Sequence, residues 1–410
     1  MKLLLILDTV EFPLAPTPAL ARRCAGLLAQ KGHTIHLLEL YDGQHRPPVQ
    51  PGCQQTLLPF SDERVMNQLL EFGQKGGTPV PLRLAKLCLH PQAALAAVRQ
   101  ILLKRPRRVS AAAKKIAQLD AQFHFDGMIA VAAPYAGSFA LQQVETQAKK
   151  ISWQMDPYAA NRSYQVPGAY ARERQLCQAI HRIFITPAMQ ADYQPGGPLA
   201  DFAQKAQVVD FPSLVRQPAT KPLAKGFPIR CVFCGSLYPE LRTPHFALEL
   251  FSTLNDPDVE LVFVGGGWQY YPAQLLEQAK EILGERLVVT GPLSYEESAA
   301  YLASGDVLIN LGNGVDNQVP SKLFEYFAQG KPILHLAKLA NDPCLPYLNR
   351  WPLALCLSEQ QGCSPEVLGQ LSEFLHSKAQ ERIPFAQAEE IFFENTQKAA
   401  VNHILCALED

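Results

Sequence analysis

Short, continuous apolar runs recur along the chain, each closed by Gly, Pro, Asn or Asp and separated from the next by a segment of helical period. Residues 3–7, Leu-Leu-Leu-Ile-Leu, read as a buried strand that stops at Asp8, residues 19–30 as a helix and 34–40 as a second strand. This βαβ opening predicts a parallel sheet with helices on both faces. Residues 41–60, rich in Pro, Gly and Gln, interrupt the pattern and are expected to form a loop. Alternation resumes with strands at 127–132, 150–155 and 182–185, helices at 137–149 and 170–180, and a short extended piece at 207–211. Residues 212–228 hold four prolines and little periodicity, which marks them as a linker. Beyond it the alternation restarts. Strands are predicted at 229–234, 259–264, 287–290, 306–311 and 332–336, helices at 243–254, 272–283, 295–303 and 320–329, with further helices at 365–378 and 386–408.

The chain is organised around residues 306–334. An apolar strand ends in Gly312-Asn313-Gly314, and a short helix follows with both ends marked: Pro320 suits a first helical position, Gly330 a left-handed position after the last turn, and Pro332 blocks continuation. The helix N-terminus therefore belongs at the carboxyl edge of a parallel sheet, where free N–H groups and the helix dipole favour anions. Ser321, Lys322 and Glu325 share one face, while Leu323, Phe324, Phe327 and Ala328 supply the buried one. A lysine in the first turn opposes the dipole but is well placed to meet a phosphate. A carboxylate one turn on can accept hydrogen bonds from ribose hydroxyls. Taken alone, the helix is equally consistent with a plain amphipathic segment whose Lys322 and Glu325 form a surface pair worth a few tenths of a kcal/mol, roughly.

At 410 residues the chain is long for one core, so two domains are the default. A hydrophobic content of 48% with a formal net charge of -1 describes a soluble globular protein and removes any global electrostatic case for nucleic acid. No apolar run has the length of a membrane span, and the opening run is too short for a signal-peptide core. The ten cysteines are scattered, Cys24, Cys88, Cys177 and Cys406 among them inside apolar segments, which suits a reducing compartment. A cytoplasmic location is expected. Cys231 and Cys234 have C-x-x-C spacing but fall in a predicted strand, where positions three apart point to opposite faces, so packing outweighs metal or redox work. Residues 72–119 contain no acidic residue and carry Lys75, Arg83, Lys86, Arg99, Lys104, Arg105, Arg107, Arg108, Lys114 and Lys115 among leucines. Such amphipathic helices suit peripheral contact with anionic lipid through the basic stretch 75–115, at about 1 kcal/mol per basic residue, or else form a solvated face or meet an acidic partner.

Residues 235–336 resemble the nucleotide-sugar-binding domain of GT-B glycosyltransferases, specifically family 4. The matching pieces stand in the family's order: Phe233-Cys234-Gly235-Ser236-Leu237 with Arg242 beyond it, the turn Gly265-Gly266-Gly267, Gly291-Pro292-Leu293, and Pro320-Ser321-Lys322-Leu323-Phe324-Glu325 with Gly330-Lys331-Pro332. The resemblance implies two Rossmann-like, doubly wound parallel-sheet domains facing a cleft, with bounds of 1–215 and 216–385 and a last helix, about 386–410, packing back on the first. It implies that Gly235 and Ser236 let the backbone approach a donor diphosphate, with the turn at Gly265 and Gly266 at the same edge. Arg242 and Lys322 would neutralise that diphosphate and the helix end from Pro320 through Ser321 to Leu323 would add N–H donors. Leu293 would lie against the base and Glu325 would hold the ribose. Two cations and a helix end make a bound metal unnecessary for a diphosphate leaving group, and no Asp-x-Asp motif accompanies them.

The family has two glutamates separated by seven residues. Glu325 matches the second, but Asn317 replaces the first and cannot carry its charge, so Asn313 and Gln318 are expected to share the donor-sugar contact. After the first strand, Pro13-Leu14-Ala15-Pro16-Thr17-Pro18 stands where many relatives have a glycine-rich loop. Asp156 lies where family members place a catalytic or acceptor-orienting His or Asp; Asp156-Pro157 also simply favours a turn. The expected activity is retaining, metal-independent transfer of a hexose from a UDP- or GDP-linked donor, with no further cofactor, to a glycan, lipid-linked or small acceptor, as in polysaccharide biosynthesis. Two rivals are a degenerate, scaffolding transferase and a nucleotide-sugar 2-epimerase, which needs converging carboxylates and a His.

Overall fold

The computed structural model describes residues 1–10, 16–61, 107–161, 167–316, 318–320 and 322–409. It divides into two units, Met1–Pro212 with Gln397–Asp410, and Ser213–Thr396.

In the first unit, seven strands form one sheet: β1 (Lys2–Asp8), β2 (Thr34–Tyr41), β3 (Cys53–Pro59), β4 (Gly127–Ala132), β5 (Lys149–Gln154), β6 (Arg182–Ile185) and β7 (Ala206–Val208). They lie in the order β3-β2-β1-β4-β5-β6-β7, every pair parallel. The central strands are apolar at nearly every position because both faces are covered. Helices α1 (Pro16–Gln30) and α13 (Gln397–Glu409) cover one face through Ala21, Cys24, Leu28, Val401 and Ile404. Helices α2 (Arg107–Phe123), α3 (Ala136–Gln142) and α4 (Ala169–Ala179) cover the other through Ile116, Leu141 and Leu176.

Two expectations change here. The expected loop 41–60 contains edge strand β3, half-buried except at the exposed Gln54 and Pro59, whose glutamines and proline mask its period. Of the basic stretch, residues 62–106 lie outside the described residues. Arg108 turns inward, buried, to pair with Asp8 at 3.3 Å, so it adds nothing to a cationic surface. Among the described residues no helix is long and apolar enough to cross a membrane.

The second unit repeats the plan with β8 (Ile229–Cys234), β9 (Val259–Val264), β10 (Leu287–Gly291), β11 (Val307–Leu311), β12 (Ile333–Ala337) and β13 (Ala354–Ser358), in the parallel order β10-β9-β8-β11-β12-β13. Cys231 and Cys234 are both buried in β8, as packing residues should be. Helices α6 (His245–Leu254), α7 (Ala273–Leu283), α8 (Tyr295–Ser304), α9 (Lys322–Gln329), α11 (Pro365–Lys378) and α12 (Phe385–Ile391) surround the sheet; α5 (Gln190–Tyr193), in the first unit, and α10 (Leu345–Leu348) are single turns. The single helix expected over 386–408 is broken into α12, a 3-10 turn Phe393–Asn395, and α13. The break places the wholly buried Phe392 ring on Phe327 of α9, stacked at 4.2 Å.

Candidate functional site

In the second sheet the strand order reverses between β8 and β11. Ligands of such sheets bind beyond the carboxyl ends at this switch point. After β8 the chain enters Gly235-Ser236-Leu237, and this turn is packed backbone to backbone against the one after β9. Gly235 N donates to Val264 O at 2.9 Å and Leu237 N to Gly266 O at 2.9 Å. A Cβ on Gly265, at φ 132°, would stand 2.0 Å from Gly235 O. One on Gly267, at φ 105°, would stand 2.2 Å from Leu237 O. The glycines after β9 thus shape the edge that Gly235 and Ser236 present.

Tyr238 and Arg242 exchange both backbone hydrogen bonds, at 2.9 and 2.8 Å, and this turn brings the Arg242 side chain back beside Gly235. A Cβ on Gly235 would lie 3.5 Å from Arg242 Nη1. Nη2 donates to Asn313 Oδ1 at 2.8 Å, and Asn313 Nδ2 donates to Gln318 O at 3.1 Å. Arg242 Nε has no acceptor, and no carboxylate of the described residues pairs with the guanidinium, whose pKa burial pulls down. A desolvated cation without a counter-charge is costly by itself. The arrangement suits an anion delivered from outside.

Helix α9 is fixed to the same edge. Tyr326 Oη accepts from Cys234 N at 3.1 Å and donates to Cys234 O at 3.3 Å, at the last residue of β8. Leu323 N donates to Pro320 O at 3.0 Å, so the first turn begins ahead of Lys322. Gly330 ends the helix at φ 68°, and a Cβ there would meet Ile383 O at 2.0 Å. Lys322 Nζ and Glu325 Oε2 pair at 2.7 Å with 31% and 28% of their side chains exposed. Burial works against the Lys322 charge, yet Glu325, with help from Cys234 and Tyr295, more than offsets it and the pKa is raised. Ser321 and Asn317 lie outside the described residues.

A cavity of 480 Å³ opens beside this pair. Its walls are Tyr295 and Ser298 of α8, Lys322 and Glu325 of α9, and Gln217 to Lys221 of the connector. Tyr295 opens α8 directly after Ser294, whose side chain and Glu297 cap the helix reciprocally. Its hydroxyl donates to Gln217 Oε1 at 2.9 Å. Leu293 is half-buried in the turn before that cap. Nothing in the linker pattern of 212–228 signals that Gln217 to Lys221 wall a cavity, and no motif marks Tyr295.

Asp156 belongs to the first unit, just past β5. Tyr135 donates to its backbone carbonyl at 2.5 Å, and burial raises its carboxyl pKa to about 6. Glu173 of α4 is buried, accepts from Ala159 N at 3.0 Å, and has its pKa raised to about 7 by burial, against the pull of that hydrogen bond. Two carboxyls able to hold a proton near neutrality are therefore present in this unit.

Residues 228–340 match the family model for glycosyl transferases group 1. No match is found among curated protein sequences. Among solved structures, the apo lipopolysaccharide outer core galactosyltransferase WaaB superposes with a TM-score of 0.59 at 11% identity, covering 100% of this chain and 99% of that one. A trehalose-6-phosphate structure from E. coli, bound with UDP-2-fluoro glucose, gives 0.61 at 11% identity over 100% and 99%. Anabaena HepE, in complex with UDP and glucose, gives 0.57 at 13% identity over 98% and 99%. These likenesses establish the GT-B fold: two Rossmann-like, doubly wound parallel-sheet units. Within it, the second unit carries the group 1 glycosyl transferase sequence pattern.

Proposed function

We propose that the protein is a glycosyltransferase that moves a hexose from a UDP- or GDP-linked donor to a glycan, lipid-linked or small acceptor, with retention and without a metal in the chemistry. The observation that carries this reading is Arg242: a buried guanidinium at the switch point, oriented by Asn313, beside Gly235, with no carboxylate among the described residues to neutralise it. That is a site for a diphosphate. As the glycosidic bond breaks, negative charge grows on the leaving nucleoside diphosphate, and fixed cations in a desolvated edge stabilise it without reorganising. Arg242 and the helix end at Pro320 to Leu323 supply the fixed part. Lys322 exchanges its Glu325 partner for phosphate, which releases Glu325 to accept from the ribose hydroxyls. Gln318 and Asn313, already linked, border the donor sugar together with Asn317, and Asp156 orients the acceptor hydroxyl. The UDP and glucose bound to HepE and the UDP-2-fluoro glucose of the E. coli structure are those proteins' ligands, so the donor is assigned here from the site's chemistry alone. Titration calorimetry with UDP and GDP, followed by hydrolysis assays on a panel of nucleotide hexoses, tests the reading. Saturable binding of one nucleotide is expected; absence of affinity for every nucleotide and nucleotide sugar overturns it.

A further inference from the structure

One buried cluster in the second unit has chemistry that glycosyl transfer does not use. His335 lies in β12, and Asp342 and Cys344 lie in the loop that follows. All three are buried, and one donor atom from each lies within 4.8 Å of the other two. His335 Nε2 and Asp342 Oδ2 face each other at 3.4 Å, beyond ordinary hydrogen-bond range, with both side chains at 0% exposure. Neither atom has any other hydrogen-bond partner. The remaining atoms of these side chains are committed elsewhere. His335 Nδ1 stands 3.1 Å from the Asn310 carbonyl and 2.9 Å from its Nδ2, while Asp342 Oδ1 accepts from Cys344 N at 2.8 Å.

Polar atoms left facing each other in a dry interior cost free energy unless something joins them. A metal ion joins them better than a proton does, for three reasons. Two tetrahedral ligands about 2.0–2.1 Å from a zinc ion stand about 3.4 Å apart, the spacing between Nε2 and Oδ2. A histidine that ligates through Nε2 commonly turns Nδ1 to a backbone carbonyl, and Asn310 O stands 3.1 Å from Nδ1, ready to accept from it once the Asn310 amide turns its Nδ2 aside. Gly312 leaves the space open, since a Cβ there would lie 2.4 Å from Asp342 Oδ2.

We propose that His335 Nε2, Asp342 Oδ2 and Cys344 Sγ bind a zinc ion, with one water carried in alongside it to complete the tetrahedron. One imidazole nitrogen, one carboxylate oxygen and one thiolate form a borderline-soft set that suits zinc and excludes the oxygen-seeking magnesium and calcium. On binding, the Cys344 thiol gives up its proton to solvent, and thiolate and carboxylate together balance the ion's two positive charges. The ion ties the loop after β12 to β12 itself, whose His335 also meets Asn310 of β11, and β11 leads through Gly312 and Asn313 to Arg242. It is a fastening for the site's frame and takes no part in the transfer step.

The full chain, stripped with chelator and dialysed against Zn2+ or Co2+ alone, tests the assignment. One equivalent of either ion is expected to survive gel filtration, and the cobalt form should show tetrahedral visible absorption with a thiolate-to-cobalt charge-transfer band. Cys344→Ser should abolish that band and His335→Gln should weaken zinc retention at least tenfold, with circular dichroism checking the fold. Cys406→Ser, at an exposed cysteine, should change neither. Failure of the wild-type chain to retain stoichiometric ion, a cobalt spectrum without the thiolate band, or a band that survives Cys344→Ser overturns the proposal. The wild-type measurements decide it even where a variant does not fold.

Discussion

Arg242 Nη2 donates to Asn313 Oδ1 over 2.8 Å and so joins the turn after β8 to the turn after β11, across the point where the strand order reverses. Asn313 is itself buried and held by its bond to Gln318 O, so the guanidinium is oriented before any ligand arrives. Arg242→Ala should lower kcat by roughly 10²–10³, the usual effect of removing one fixed donor from developing charge. Arg242→Lys should rescue little, because an ammonium cannot reach Asn313 and a phosphate in the same plane. Asn313→Ala leaves the cation in place but unheld, and its loss should be smaller, about 1–3 kcal/mol of binding. Calorimetric affinity for UDP and GDP and steady-state transfer rates check this; wild-type affinity in Arg242→Ala would remove Arg242 from the site.

Tyr326 is the clamp between α9 and β8. Tyr326→Phe keeps the ring in its buried slot but strands Cys234 N without its partner, at a cost of about 1–3 kcal/mol. The midpoint of urea denaturation should fall accordingly. Nucleotide affinity should fall too, since Lys322 and Glu325 ride on the same helix. Lost stability with unchanged affinity would show that α9 does not need this clamp to place its polar face.

Much of this site was readable because its parts are local. Gly330 is glycine because the chain turns left-handed there against Ile383 O, and Pro320 and Gly330 bracket the helix Lys322–Gln329. The buried parallel strands β8, β9 and β11 are apolar at every position but one each, Arg230, Glu260 and Asn310, so their bounds were legible almost to the residue. Edge strand β3 was not: it is covered only in part, and its Cys-Gln-Gln-Thr-Leu-Leu-Pro run has neither a continuous apolar stretch nor clean alternation. What depends on distant contacts was also invisible. Asn313 stands 71 positions from the arginine it holds, Gln217 is 78 from Tyr295, and the basic character of Arg108 gives no hint that Asp8 draws it inward.

Lys331, in the Gly-Lys-Pro that follows α9, contributes through another helix. Its buried ammonium donates to Leu302 O at 2.6 Å, Ala303 O at 2.8 Å and Gly305 O at 2.7 Å, closing the carbonyl end of α8. Burial pulls its pKa down to about 7, so below neutrality it is a cation that also meets the negative pole of the helix dipole. Lys331→Met should cost about 3 kcal/mol, since three acceptors lose a charged donor and water cannot easily replace it. Thermal denaturation should register several degrees, and amide exchange should quicken first around residues 302–306. Uniform loss across the unit would contradict a local cap.

The acid side of the first unit makes a pH prediction. Glu173 is 2% exposed, and burial raises its pKa to about 7 from the ordinary 4.5. Between those values the folded chain keeps a proton that the unfolded chain has released, so this contribution to stability is present below the unfolded pKa and lost as pH rises through the folded one. Asp156 acts in the same sense over a lower window, from 3.8 up to about 6. Glu173→Gln keeps an oxygen for Ala159 N but has no charge to bury. Relative to wild type it should therefore gain on the order of 2–3 kcal/mol between pH 5 and pH 8. Urea titrations at the two pH values decide the matter: curves for wild type and variant that stay parallel would show that Glu173 ionises freely in the folded chain.

Tyr295 and Gln217 make the most selective test of the cavity wall. Tyr295 is 61% exposed, so its ring adds little to the core, yet its hydroxyl is tied to the connector beside the Lys322 and Glu325 pair. A planar, exposed ring at that position offers a face to a nucleobase, while the connector fixes its angle. Tyr295→Ala should raise the donor KM several-fold and leave kcat near wild type, because the ring contributes equally to ground-state and transition-state binding. Gln217→Ala should move KM in the same direction by less, since the ring stays but loses its tether. Neither variant should shift the denaturation midpoint. A fall in kcat with KM unchanged would place Tyr295 at the reacting end of the donor instead of at the base.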